Sequence, residues 1–499
     1  MVRLWSAIRP PVCLVAALSI SFSVSVNAAE RPNIVYILAD DLGYGDVQCL
    51  NRQRGKIVTE HLDKFVSQSV VFTDAHSGSS VCTPTRYGLL TGRYAWRTRL
   101  QQGVLDGSDD PPLIADGRLT VGAMLQQHGY ATAAIGKWHL GFLSKRPEGA
   151  PQFGTGKRKK AGGGLPVRST ILGGPTTRGF DYFWGCSNAR TMSGLIENES
   201  VIENLQPIEM LPRLRSQAIG YIQQQAPAAR SGKPFFLYLP LTSPHTPIVP
   251  TAEWKGTSGM GDYADFVKQT DAVVGGVLLE LDKQQLAENT LVFFSSDNGC
   301  SPAAQTENLE RAGHFASGSM RGYKADIWEG GHRVPFIARW PKRVKPGSSC
   351  EATICHTDLM ATCAELLGEK LQDNAAEDSV SMLPALLGSA SQPRREAIVH
   401  HSIQGKFAIR QGPWKLIFCS GSGGWGEPKD PAATKQGYPK VQLYNLANDL
   451  AESNNVQSLH PNVVTQLTQL LQQYVDQGRS TPGKRQSNDV EIDIFQQSP

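Results

Sequence analysis

The sequence predicts an α/β fold: a large mixed, mostly parallel sheet flanked by helices, followed by a smaller C-terminal α+β subdomain built on a short antiparallel sheet. Three observations predict it. Short apolar runs that end in polar residues recur at 33–39, 130–135, 234–240 and 290–296, the pattern of strands buried on both faces. Segments with helical apolar spacing lie between them at 120–128, 211–225 and 263–286. After about Pro393 the pattern changes to short alternating runs at 396–400, 406–411, 414–418 and 441–444, followed by a helical stretch at 461–475.

Around this core the chain divides into a signal peptide (1–28), a catalytic domain (29–393), a C-terminal subdomain (394–482) and a tail (483–499) that either wraps the surface or stays unstructured. Arg3 and Arg9 flank a short apolar run at 12–26, and Val26-Asn27-Ala28 offers a small-residue cleavage site, so export to the periplasm or the medium is expected. No later run is long and apolar enough for stable membrane insertion. With 40% hydrophobic and 19% charged residues the chain is neither largely disordered nor a polytopic membrane protein, and a net charge of +4 gives no footprint for a nucleic acid. Of nine cysteines, Cys13 leaves with the signal. The remaining eight lack zinc-site spacing, and Cys350 and Cys355 are close enough to be candidates for a disulfide. A Gly-, Pro- and Lys/Arg-rich segment from about 142 to 178, with Lys157, Arg158, Lys159 and Lys160, reads as a solvated surface loop or as a basic rim for a polyanion.

The first chemical clue is acidic. Asp40-Asp41 ends the first strand, and Asp297-Asn298 ends the 290–296 strand, so three carboxylates and one amide meet where ligands gather in open α/β sheets. Hard oxygen donors of this kind suit calcium or magnesium rather than zinc. The second clue is Cys82, in Cys82-Thr83-Pro84-Thr85-Arg86 followed by Leu90-Thr91-Gly92-Arg93. A cysteine just before a helix-starting proline lies where backbone N–H groups and the helix dipole favour an anion.

With that string the sequence resembles the type I, formylglycine-dependent sulfatases of the alkaline phosphatase superfamily, arylsulfatases among them. The likeness runs from Arg31-Pro32-Asn33 to Leu443-Tyr444-Asn445-Leu446, and Thr85 stands where many members have Ser. Gly136-Lys137-Trp138-His139, Ser243-Pro244-His245 and Gly322-Tyr323-Lys324 match further blocks of the family in order. The resemblance implies an alkaline phosphatase-like fold and a maturation enzyme that oxidises Cys82 to formylglycine (3-oxoalanine). It also implies one calcium ion per chain held by Asp40, Asp41, Asp297, Asn298 and residue 82. Arg86, Lys137 and Lys324 are expected to stabilise developing charge, His245 to protonate the leaving oxygen, and His139 to take a proton from the second hydroxyl of hydrated residue 82.

The expected substrate is a sulfate monoester, with a sulfated carbohydrate as the class that export and the basic insertion fit. His314, Arg321, Trp328, His332 and Arg333, which surround Lys324 in sequence, are candidates for substrate contact. Two other readings use the same residues: a phosphoester or phosphonate hydrolase of the same superfamily, and a catalytically silent glycan-binding relative.

Overall fold

Every residue of Asn33–Asp40 is buried, because Val35, Ile37 and Ala39 point into one apolar core and Ile34, Tyr36 and Leu38 into a second. This strand pairs in parallel with Phe235–Pro244 on one side and Thr290–Ser296 on the other. Parallel pairing continues outward from Phe235–Pro244 to Ala131–Lys137 and then to Tyr182–Cys186. The computed structural model describes residues 31–106, 109–150, 165–190, 192, 194–389 and 395–496. Its central feature is a 12-stranded sheet, with antiparallel strands added at both flanks of this parallel block.

Helices cover both faces. Glu60–Ser67, Pro207–Arg230 and Asp262–Lys283 pack their apolar residues into the first core, while Cys82–Thr91, Val121–Gln127 and Asp358–Leu367 pack theirs into the second. The strands 398–401, 407–411, 414–417 and 442–445 form a separate four-stranded antiparallel sheet. Pro461–Gln477 lies against it through Leu467, Leu471 and Tyr474. The predicted fold class therefore holds, and no helix among the described residues is long and apolar enough to cross a membrane. The signal segment, Lys157 to Lys160 and the 393/394 boundary lie outside the described residues.

The structure corrects several local expectations. The helix expected at 211–225 spans Pro207–Arg230, because it starts from a capping box in which Gln206 N–H donates to the Glu209 carboxylate at 2.8 Å. The 142–178 segment is more than a surface loop, since Leu143–Lys145 and Thr170–Leu172 pair and extend the main sheet at its edge. Cys350 and Cys355 form no disulfide. Ser348–Cys350 pairs with Val70–Phe72, whereas Ile354–Cys355 pairs with Ala75–His76 in another sheet, and the eight cysteines among the described residues are free thiols. The tail wraps rather than hangs: Asp489 N–H donates to the Arg97 carbonyl at 2.8 Å, Arg93 reaches Asp489 at 3.0 Å, and Ile494 is buried.

Candidate active site

Parallel strands end on one edge of the sheet, and that edge collects the chemistry. Asp40 ends the first strand and Asp41 follows it, Lys137 ends Ala131–Lys137, His245 follows Phe235–Pro244, and Asp297 and Asn298 follow Thr290–Ser296. Cys82 is the first residue of the helix Cys82–Thr91, whose first turn carries no acidic residue, and Arg86 projects from its next turn. Lys324 enters from the long loop after Thr306–Arg311. All of these side chains are buried.

The contacts form one network. Arg86 donates from Nε and Nη2 to Asp297 Oδ2 at 3.1 and 2.8 Å, and from Nη1 to the Lys137 carbonyl at 2.8 Å, joining the helix to two strand ends. Lys137 Nζ donates to Asp40 Oδ2 at 2.8 Å, and Lys324 Nζ donates to Asp41 Oδ1. Asn298 Nδ2 also donates to Asp41 Oδ1, at 2.8 Å, while His245 Nε2 lies 3.7 Å from Asp41 Oδ2. Asp41 N–H donates to Asp297 Oδ1 at 3.2 Å. Cys82 stands among these charges, with Lys137 and Lys324 the cations that act on its thiol and Asp297 and Asp40 the opposing carboxylates.

Backbone strain marks the same edge. Asp41 at φ 66°, His139 at φ 55° and Ala325 at φ 79° hold left-handed conformations that non-glycine residues rarely adopt, so the surrounding contacts dictate them. Gly136 has no room for a side chain: a Cβ there would sit 1.9 Å from the Pro240 carbonyl oxygen, and the residue is at φ 138°. Gly136→Ala should therefore push the Lys137 strand away from its neighbour, costing about 1–3 kcal/mol or more in urea unfolding. Turnover should fall with it. A variant as stable and as active as the parent would show that this close approach is dispensable.

The electrostatics separate the titratable groups. Burial alone would raise the pKa of Asp40, but Lys137, His245, Arg86 and Lys324 outweigh it and hold the carboxyl well below the ordinary range. Asp297 goes the other way, pushed up to about 6 by burial and by neighbouring Asp40 against Arg86 and Lys137. Burial, with Lys137 and Arg86 adding to it, holds His139 well below its ordinary value. Its Nε2 faces the Leu105 carbonyl at 2.8 Å, and a carbonyl only accepts, so Nε2 carries the proton. The buried Nδ1, without a hydrogen-bond partner, is then the free lone pair. His245 is pushed down to about 4, first by burial and also by Lys324, with Asp41 opposing.

A cation fits this pocket. Asp40 Oδ1 and Asn298 Oδ1 are buried yet lack hydrogen-bond partners, and ligand atoms of Asp40, Asp41 and His245 lie within 4.8 Å of one another. Unsatisfied oxygens beside three carboxylates are a donor set for a hard divalent ion.

The sequence reading missed the scaffold under these groups, because much of it is main chain. The carbonyls of Leu105 and Ser187 hold His139 from both sides, the latter accepting His139 N–H at 2.7 Å. Beneath Asp41, the Asp46 carboxylate accepts from Gly43 N–H at 2.7 Å and from the Tyr263 hydroxyl at 2.6 Å. Only Asp46 left a trace in the sequence, as an acid six residues after Asp40.

The candidates for substrate contact each have partners within the protein. His314 is fully buried, with Nε2 at 2.7 Å from Asp46 and Nδ1 accepting from Lys56 N–H. Trp328 is buried with its indole N–H donating to Gln442, and the Arg321 guanidinium lies 3.6 Å over its ring. His332 stacks on His400 at 3.7 Å, and Arg333 bridges Asp74 and Glu329 at 3.3 Å each. Trp328 precedes and His332 ends the short helix Glu329–His332, and they meet the C-terminal sheet through Gln442 and His400. None of these contacts is to Asp40, Asp41, Cys82, Arg86, Lys137 or Lys324.

Comparison with known proteins gives the family. The family model described as Sulfatase matches residues 32–369. The chain is 33% identical to an N-acetylgalactosamine-6-O-sulfatase of Bacteroides thetaiotaomicron, over 89% of this chain and 93% of that protein. It is likewise 33% identical to human arylsulfatase A, over 91% and 90% of the two chains. Among solved structures, a 6S-sulf protein from the metabolism of multiple glycosaminoglycans by Bacteroides thetaiotaomicron superposes with a TM-score of 0.77 at 31% identity, covering 89% of this chain and 99% of that one.

Proposed function

The chain belongs to the sulfatase family, whose named relatives are sulfuric ester hydrolases, and from this we propose that it is an exported hydrolase of sulfate monoesters on carbohydrates, working through formylglycine at position 82 and one bound calcium ion. The observation that carries the proposal is the meeting of Cys82 with three buried cations, Arg86, Lys137 and Lys324, and three buried carboxylates, Asp40, Asp41 and Asp297. A sulfate ester transition state spreads negative charge over non-bridging oxygens, so fixed positive charge in a dry pocket is the main requirement.

Asp40, Asp41, Asp297, Asn298 and residue 82 would hold the calcium, which supplies charge against the sulfate oxygens and lowers the pKa of a hydroxyl on residue 82. Formylglycine at position 82 would supply, as its hydrate, both an attacking hydroxyl and a second hydroxyl for the release of sulfate. The remaining steps belong to the chain. Arg86 fixes the first helical turn against Asp297 and the Lys137 carbonyl, so residue 82 is held in register with the strand ends. Lys137 and Lys324 face the sulfate position as fixed charges. His245 donates its Nδ1 proton to the Thr246 carbonyl, so a second proton on Nε2 is the one delivered to the leaving oxygen. An anionic ester beside it raises the affinity for that proton. His139 accepts the proton from the second hydroxyl at Nδ1.

The substrate class rests on the Bacteroides relative, which is named for N-acetylgalactosamine 6-sulfate and matches over nearly the whole chain. The partners this reading requires are a formylglycine-generating maturation enzyme and an export route reading residues 1–28. Released sulfate is to be measured on an aryl sulfate, N-acetylgalactosamine 6-sulfate and a set of sulfated oligosaccharides, beside phosphate release from the matched aryl phosphate. The expected result is sulfate release with a strong preference over phosphate. Faster release of phosphate would replace this reading with the phosphoesterase one, and no turnover by formylglycine-bearing protein would leave a binding protein.

A further inference from the structure

The loop Ser422-Gly423-Gly424-Trp425-Gly426 of the C-terminal subdomain is bolted to the chain just after Lys324. Ile327 N–H donates to the Ser422 carbonyl at 2.8 Å, and the Asp326 carboxylate accepts from the N–H groups of Trp425 at 3.0 Å and Gly426 at 2.7 Å. The glycines are there for contact: a Cβ on Gly424 would meet the Ala325 carbonyl at 2.3 Å, and one on Gly426 the Asp326 carboxylate at 2.5 Å. Ala325 in turn donates its N–H to the Ser80 carbonyl at 2.9 Å, two residues before Cys82. The loop is thus fixed to the segment after Lys324, which is itself bonded to the chain before Cys82, and it carries an indole that stays 41% exposed.

A large aromatic left in water on a rigid support forgoes burial energy that the core would have provided, and such surfaces are used for contact. Its neighbours are polar. Gln404 donates to the Gly424 carbonyl at 3.3 Å and, with Gln101, lines a groove of ≈ 830 Å³, within the range of about 300–1,000 Å³ common for ligand sites. The groove's cations, Arg99 and Lys406, are balanced by Glu491 and Asp493. The groove meets the Trp425 loop through Gln404: a side-chain amide there, with no net charge around it, suits the hydroxyls of an uncharged pyranose rather than a second sulfate, and the exposed indole on the same loop offers a face for its C–H groups.

We propose that Trp425, with Gln404, forms a subsite for the uncharged sugar residue next to the sulfated one, so that this enzyme recognises an oligosaccharide and not only its sulfated unit. The proposal rests on the carbohydrate reading above. The test compares the parent, Trp425→Ala and Trp425→Phe on an aryl sulfate and on whichever sulfated oligosaccharide of the set the parent hydrolyses best. For Trp425→Ala, kcat/KM on the oligosaccharide should drop by about tenfold or more relative to that on the aryl sulfate, through KM. Trp425→Phe should recover most of the loss, because it restores a ring face. Equal changes on both substrates, or none, would overturn the subsite while leaving the carbohydrate reading intact. A parent enzyme that turns over the aryl ester and no sulfated saccharide would overturn both.

Discussion

Replacement of Cys82 by alanine is expected to lower sulfate release by about 10⁴-fold or more, the scale seen when a nucleophile is removed from an intact site. The fold should survive. Residue 82 opens a helix, alanine has the highest helix propensity, and relative to the unmodified chain the change deletes a single buried sulfur at a cost of about 1 kcal/mol. The same loss should follow expression without the maturation enzyme. Burial pushes the unmodified Cys82 thiol up despite Lys137 and Lys324, so it is held as a weakly nucleophilic thiol, and sulfur has no second hydroxyl with which to expel sulfate. Mass spectrometry of the active protein should find the peptide containing residue 82 with sulfur exchanged for oxygen and two hydrogens lost. Full turnover by protein carrying an unmodified thiol would refute the mechanism.

Asp297→Asn is expected to remove calcium-dependent stabilisation. Calcium that binds only the folded parent raises stability by about 2.7 kcal/mol at a concentration one hundred times its Kd, seen as a rise in Tm on titration. The asparagine keeps an oxygen for Arg86 but removes one of the three carboxylate charges at the strand ends, so the rise should shrink or vanish. Removing the side chain outright is a harsher experiment. Asp297→Ala leaves the fully buried Arg86 without its 2.8 Å partner, and breaking such a pair costs about 3–5 kcal/mol. Equal calcium-induced shifts in the parent and in Asp297→Asn would take Asp297 out of the metal site.

The strands that matter were legible because buried parallel strands are continuous apolar runs, and Thr290–Ser296 falls where the pattern places it. Cys82, Arg86, Lys137, His139, His245 and Lys324 were legible because their neighbours form specific strings, and the structure brings the side chains of Asp40, Asp41, Arg86, Lys137, His245, Asp297 and Lys324 into one buried network. Partners were not legible: Trp328, His332 and Arg333 sit close to Lys324 along the chain, and their side chains meet Gln442, His400 and Asp74 from distant segments.

Local sequence thus determined the main strands and helices and singled out the candidate site residues, since apolar periodicity and short motifs are properties of neighbouring residues. Tertiary structure alone decided which groups share a pocket, which nitrogen of His139 is free, that the tail packs against Arg93 and Arg97, and that Trp425 is bonded to Asp326 across about a hundred residues of chain. These depend on contacts between segments far apart in sequence, where hydrogen-bond partners and close backbone approaches, rather than propensities, set the outcome.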